Sequence, residues 1–135
     1  MNITLAKSEI IHFVGIGGIG MSGLALIMND LGFKIQGSDK ILNKNIERLK
    51  KNKIKFYLGH ASSNIKKATI LVISSAIKKN NIEILEAKKK NLPIYKRGDM
   101  LAHITSLKKN IVIAGSHGKT TTTSLVAAIF SNANL

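Results

Sequence analysis

The chain has 135 residues, with 21 Lys and Arg against 7 Asp and Glu, a formal charge of +14, one proline and no cysteine. That length suits one domain that buries roughly two-thirds of its unfolded surface, and 44% apolar with 21% charged residues excludes disordered and collagen-like chains. The lack of cysteine removes disulfides, thiolate metal sites and thiol nucleophiles. No apolar run approaches the ~20 residues of a membrane span.

In chain order, Ile10–Val14 is a short β-rich apolar run that stops at glycines, as a buried parallel strand does. Gly18–Leu31 predicts a helix with Ile19, Leu24, Ile27, Met28 and Leu31 available for a core face, and Gly32 is its stop signal. Lys34–Asp39 predicts a second strand, Asn43–Lys51 a helix, Lys55–Leu58 a third strand and Ala68–Ser74 a strongly apolar fourth. Asn81–Lys90 predicts an amphipathic helix with Ile84, Leu85 and Ala87 against a Lys-rich solvent face. A fifth strand is expected over Pro93–Lys96 and a short helix over Gly98–Ser106. A new cycle then opens with a strand at Asn110–Ala114, a glycine-containing turn and an apolar helix from about Lys119 to Phe130.

Alternating β and α units of this length imply an α/β fold: a Rossmann-like parallel sheet with flanking helices, joined by right-handed crossovers. Residues 1–107 are read as the first domain. Residues 108–135 are read as the first strand–P-loop–helix unit of a second, incomplete domain.

Two glycine-rich turns carry the chemistry. The first, Gly15-Ile16-Gly17-Gly18-Ile19-Gly20, lies between a predicted strand and a predicted helix. There Gly15 permits the tight turn, Gly17 lets a diphosphate approach the backbone, and Gly20 allows close packing of the helix. The helix start offers free N–H groups to phosphate. Asp39, nineteen positions after Gly20, ends the second strand where dinucleotide folds place a ribose-hydroxyl acceptor.

The second turn runs Gly115-Ser116-His117-Gly118-Lys119-Thr120-Thr121. A strict P-loop fails because Ile113 stands in place of the first glycine, yet the physical parts are present. Backbone N–H groups of Gly115–Lys119 can cradle phosphates, the Lys119 ammonium can meet terminal phosphate oxygens, and the Thr120 hydroxyl can ligate Mg²⁺.

Weaker signals are Ser74 and Ser75 at the C-terminal end of the fourth strand, and His60 in a loop. His12 and His103 read as structural. No His/Asp/Glu cluster has metal-ligand spacing. The positive charge does not point to specific nucleic-acid binding: Lys supplies 19 of the 21 basic residues, Arg48 and Arg97 are the only arginines, and no aromatic platform sits among them. The Lys, Ile and Asn excess is what A/T-rich codons encode.

The pairing of a dinucleotide-type glycine loop with a shortened P-loop about a hundred residues later resembles the Mur ligases of peptidoglycan synthesis. The residues that carry the likeness are His12–Gly23, Gly37-Ser38-Asp39, Ser74-Ser75-Ala76-Ile77, Lys96-Arg97 with Met100-Leu101, and Ala114–Thr122. Ser116 stands where the family usually has Thr, and Asp99 where it commonly has Glu; both are conservative.

The resemblance implies that residues 1 to about 107 bind the UDP part of UDP-N-acetylmuramate. Gly15, Gly17, Gly18, Ile19, Gly20, Met21 and Ser22 would lie at the diphosphate, and Ser38, Asp39, His60, Ser74 and Ser75 around the uridine. Gly115–Thr121 would be the ATP loop, with Lys119 and Thr120 as catalytic residues and Thr120 as the Mg²⁺ ligand. ATP would phosphorylate the muramoyl carboxylate, and the amine of L-alanine would displace phosphate from the acyl phosphate.

Family members have three domains. The rest of the ATPase sheet, the acidic Mg²⁺ ligands and the amino-acid-binding domain would therefore lie outside these residues, and the 135-residue chain alone is not expected to form the amide bond. A ligase that recycles murein tripeptide onto the same UDP-sugar is the alternative within the family. Outside it stand an NAD-dependent oxidoreductase and a noncatalytic nucleotide-sugar module. A cytoplasmic protein is expected, with no membrane and no specific nucleic acid among its partners.

Overall fold

A computed structural model describes residues 3–114, with side chains to residue 107. Its elements are strands β1 (Ile10–Val14), β2 (Lys34–Asp39), β3 (Lys55–Leu58), β4 (Ile70–Ile73) and β5 (Ile94–Lys96), and helices α1 (Ile19–Asp30), α2 (Lys44–Lys51), α3 (Ile82–Lys89) and α4 (Arg97–Ala114). A 3₁₀ turn at Ser62–Ile65, not foreseen from the sequence, precedes β4. The strands form one parallel sheet in the order β3-β2-β1-β4-β5.

Strand alternation divides the core into two layers, because successive side chains point to opposite faces. Ile11, Phe13, Ile35, Ile70 and Val72 face α1, α2 and α4, where they pack with Met21, Leu24, Met28, Ile46, Leu49 and Met100. Val14 and Leu71 face the opposite way, toward Ile65, Ala68 and Ala87 of the 3₁₀ turn and α3. His12, Gln36 and Ser38 share that second face and are buried. Their polar atoms therefore require partners inside the protein.

Both short helices start at asparagine caps: Asn43 accepts from the Ile46 N–H at 2.9 Å, and Asn81 from the Glu83 N–H at 2.9 Å. Helix α1 ends at Gly32, whose φ of +96° is the left-handed geometry that closes a helix, with Phe33 N–H donating to Met28 O at 3.1 Å.

Three sequence expectations are corrected here. Asn110–Ala114, expected as a strand, continues α4. No glycine or proline interrupts residues 99–114, and a helix closes its own hydrogen bonds where a strand would need a partner edge. Ile19 is 67% exposed and Leu85 51% exposed, so neither contributes to the core faces assigned to them. Ile19 sits at the first turn of α1, and Leu85 is separated by 100° on its helix from the buried Ile84. The strand order reverses at β1, flanked by β2 and β4, so the ends of β1 and β4 frame the crevice where open α/β sheets bind ligands.

Candidate functional site

The glycine loop is held by β2. Beyond Val14 the chain turns at Gly15 (φ +84°), and the carbonyl oxygen of Ser38 accepts from both the Gly15 N–H (2.9 Å) and the Ile16 N–H (3.0 Å). The Ile16 side chain then lies flat on Gly37: a Cβ there would sit 2.5 Å from Ile16 Cδ1 and 2.8 Å from Phe13 O. The Gly17 N–H donates to Asp39 Oδ2 at 2.8 Å, while the Gly17 carbonyl accepts from Asn43 Nδ2 (3.1 Å) and Asn45 Nδ2 (2.9 Å). A Cβ on Gly17 would meet Asp39 Oδ2 at 2.8 Å. Gly17 thus brings the loop against β2 and α2.

Gly18 caps α1 without a side-chain hydrogen bond, and the first turn holds no acidic residue. The first helical bond is Ser22 N–H to Gly18 O, and the N–H groups of Ile19, Gly20 and Met21 have no acceptor among the described residues. Unmet N–H groups and the aligned peptide dipoles give this end a partial positive charge. Arg97 adds a full one. It follows β5 and opens α4, and its Cδ, Nε and Cζ lie 3.1, 3.2 and 3.3 Å from where a Gly20 Cβ would stand. The absent side chain of Gly20 therefore makes room for a guanidinium, whose fork of donors suits phosphate.

A cavity of about 420 Å³ opens beside this helix start, lined by Ser74, Ser75, Lys79, Lys96, Arg97 and Asp99 among others. Ser74 Oγ would be 3.5 Å from a Cβ on Gly15, so the end of β4 meets the glycine loop at the topological switch point. Three cations against one carboxylate leave the cavity positive.

On the β2 side the rim is built on a buried polar network. Glu83 is fully buried, and its Oε1 accepts from His12 Nε2 (2.7 Å) and Ser38 Oγ (2.6 Å). Its Oε2 accepts from Asn64 Nδ2 (2.7 Å) and the Ala61 N–H (3.1 Å). Burial pushes this carboxyl up, but the hydrogen bonds from His12, Ser38 and Asn64 outweigh it, leaving a pKa lowered to about 2. Ser38 Oγ also lies 2.9 Å from His60 Nδ1.

The structure thus groups the residues singled out in the sequence. Gly15, Gly17 and Asp39 form the loop and its brace, and Gly18, Ile19, Gly20 and Met21 offer helix-start backbone. Ser74 and Ser75 line the cavity, and Ser38 and His60 touch each other. The side chains of Met21 and Ser22 are buried, with Ser22 Oγ bonding Ile19 O at 3.1 Å, so Met21 adds its backbone N–H only, and Ser22, whose N–H donates to Gly18 O, adds neither side chain nor N–H. Gly115, Ser116, His117, Gly118, Lys119, Thr120 and Thr121 lie outside the described residues. Asn43 and Glu83 were missed as site residues, and Arg97 was noted only as part of a resemblance. An available signal was the placement of His12, Gln36 and Ser38 at alternate positions of two neighbouring strands, which demands a buried polar partner.

Residues 10–109 match the model of the Mur ligase family, catalytic domain. The chain belongs to the Mur ligase family. Among similar Mur ligases, the UDP-N-acetylmuramate–L-alanine ligase of Pelagibacter ubique is 72% identical over 135 residues, covering all of this chain and 29% of that protein. That of Rickettsia typhi is 54% identical over 125 residues, 93% of this chain and 25% of the relative. The chain therefore spans less than a third of these curated relatives.

Among solved structures, the UDP-N-acetylmuramate–alanine ligase of Thermotoga maritima matches at 31% identity and a TM-score of 0.71, over 73% of this chain and 23% of that one. A ligase from Neisseria meningitidis that joins UDP-N-acetylmuramate to L-alanyl-γ-D-glutamyl-meso-diaminopimelate matches at 29% identity and a TM-score of 0.64, over 70% and 30% of the two chains. The parallel five-stranded sheet with flanking helices is thus the N-terminal fold of the Mur ligases.

Proposed function

We propose that this chain is the UDP-sugar-binding part of an ATP-dependent ligase that joins L-alanine to UDP-N-acetylmuramate in cell-wall synthesis. The observation that carries the reading is the helix start of α1, with three N–H groups that have no acceptor among the described residues, Arg97 laid over Gly20 and a positive cavity adjoining it. A diphosphate fits this arrangement: backbone donors hold its oxygens, the guanidinium neutralises its charge, and the loop's glycines keep side chains out of its way. The identity of 72% to an L-alanine ligase favours L-alanine over a peptide as the amine.

In this reading the N–H groups of Ile19, Gly20 and Met21 and the Arg97 guanidinium bind the diphosphate, while Gly17 and Gly18, whose N–H groups donate to Asp39 Oδ2 and Gly15 O, shape the loop around it. Ser38, Asp39 and His60, with Ser74 and Ser75, surround the uridine and its ribose. Amide formation belongs to a protein carrying the remaining length of the relatives, and the 135 residues by themselves bind the UDP-sugar without completing the reaction. The donor set of Gly115–Thr121 fits ATP and Mg²⁺: Lys119 would hold terminal phosphate oxygens and Thr120 would offer the metal a hard hydroxyl oxygen. ATP, when bound, supplies the phosphoryl group that activates the substrate carboxylate. A cytoplasmic location fits these substrates.

Thermal-shift titration tests the reading. UDP-N-acetylmuramate at about a hundred times its Kd should add about 2.7 kcal/mol of stability, raising Tm by several degrees, while NAD leaves Tm unchanged. Stabilisation by NAD, or by neither compound, overturns it.

A further inference from the structure

The polar network beneath β1 and β2 does more than satisfy buried atoms, because it assigns every proton along a chain that ends at the rim. Gln36 Nε2 lies 2.9 Å from the carbonyl oxygen of Asn64, which can only accept. That atom is therefore the NH₂ group, and its second hydrogen points to His12 Nδ1 at 2.8 Å. His12 Nδ1 thus accepts, so Nε2 carries the proton and donates it to Glu83 Oε1. The Ser38 hydroxyl, 2.6 Å from the same carboxylate oxygen, must donate there as well. Only its lone pairs remain for His60 Nδ1 at 2.9 Å, so that nitrogen is the donor. In the neutral ring, His60 Nε2 is then left without a proton. It has no partner among the described residues, and because no buried side-chain nitrogen or oxygen there is unpaired, Nε2 reaches solvent. The site thus presents one fixed acceptor at the C-terminal edge of the sheet, beside Asp39.

We infer that Glu83 is a positioning residue for base selection: through Ser38 it holds His60 as the Nδ1–H tautomer, so that Nε2 accepts from the imide N–H of a uracil and disfavours cytosine. This rests on the UDP-sugar reading of the site. Cytosine carries a lone pair, not a hydrogen, at the corresponding ring nitrogen, so two acceptors would face each other and the buried-side acceptor would go unpaired. Glu83 itself touches no ligand. It lies two residues after the Asn81 cap, on a helix packed behind the sheet, and works by accepting two hydrogen bonds at one oxygen.

Two measurements on the 135-residue chain test this. Histidine ¹H–¹⁵N correlation spectra at about pH 8, above the ordinary imidazole range, should show His60 protonated at Nδ1 and His12 at Nε2 with no ligand present. Calorimetric titration should show UDP binding at least tenfold more tightly than CDP. In Glu83→Gln, UDP affinity should fall and the UDP/CDP ratio should approach one, while affinity for inorganic pyrophosphate stays within twofold of the original. Should that variant fail to fold, Ser38→Ala serves in its place, since it removes the acceptor at His60 Nδ1 and leaves the carboxylate intact. UDP binding by the unaltered chain with His60 protonated at Nε2, or with equal affinity for CDP, overturns the role of Glu83 and leaves the UDP-sugar reading standing. Absence of UDP binding overturns both.

Discussion

The backbone N–H of Gly17 donates to Oδ2 of Asp39 at 2.8 Å, and Asp39 Oδ1 accepts from the Lys40 N–H at 2.7 Å. One carboxylate therefore joins the glycine loop to the end of β2. Position alone suggests a ribose acceptor; the structure shows a brace that keeps lone pairs available for such a role. Asp39→Ala should release Gly17, and loss of a hydrogen bond to a charged group costs about 1.5–3 kcal/mol. Urea denaturation should show that loss, with faster amide exchange at Gly17 and weaker UDP-N-acetylmuramate binding.

Gly37 is a packing requirement. Any side chain there meets Ile16 Cδ1 at 2.5 Å and Phe13 O at 2.8 Å, and the backbone oxygen cannot step aside cheaply. Gly37→Ala should destabilise the chain by about 1–3 kcal/mol, the usual cost of overpacking. Ile16→Val should recover little of that loss in a double-mutant cycle, because valine keeps the Ile16 Cβ that lies 2.6 Å from the added methyl and Phe13 O stays in place.

Arg97 should act on affinity rather than on folding. It occupies the space above Gly20 next to an open cavity, and no described residue forms an ion pair with it. Arg97→Ala should weaken UDP-N-acetylmuramate binding at least tenfold, which is about 1.4 kcal/mol, with Tm nearly unchanged. Arg97→Lys should restore only part, because an ammonium lacks the guanidinium's paired donors. Gly20→Ala should mimic the loss by displacing the same side chain.

Acid should weaken the fold through Glu83. Its pKa of about 2 in the folded chain lies below the ordinary 4.5, so the ionised network stabilises the protein above about pH 4.5. That contribution disappears as pH falls from 4.5 toward 2. The shift corresponds to something on the order of 3 kcal/mol. Unfolding free energies measured between pH 7 and pH 3 should fall along this limb, and Glu83→Gln should flatten it. His12 and His60, the two titratable side chains that face the carboxylate, remain in the variant as a control.

The alternation of strands and helices, the glycine turn and the acid ending β2 are properties of local pattern, and local pattern lies in the sequence. Strands β1 and β2 form with the expected bounds, buried at successive positions as central parallel strands are, and the asparagines before α2 and α3 cap them through N–H groups two or three residues away. Where an outcome depended on what lay across space, residue order alone was insufficient. The run Asn110–Ala114 is as apolar as a strand, yet it continues α4.

Glu83 sits 71 positions from His12 and 45 from Ser38. It is a first-turn acid of α3; parallel pairing of β1 with β2 and β4, and packing of α3 behind them, turn it into the centre of a buried network. Arg97 is equally remote from Gly20, and only the return of β5 to the sheet edge sets its guanidinium over the start of α1. Short-range hydrogen bonding and periodicity are encoded residue by residue, whereas the protonation and charge of this site arise from long-range contacts that exist only once the sheet has assembled.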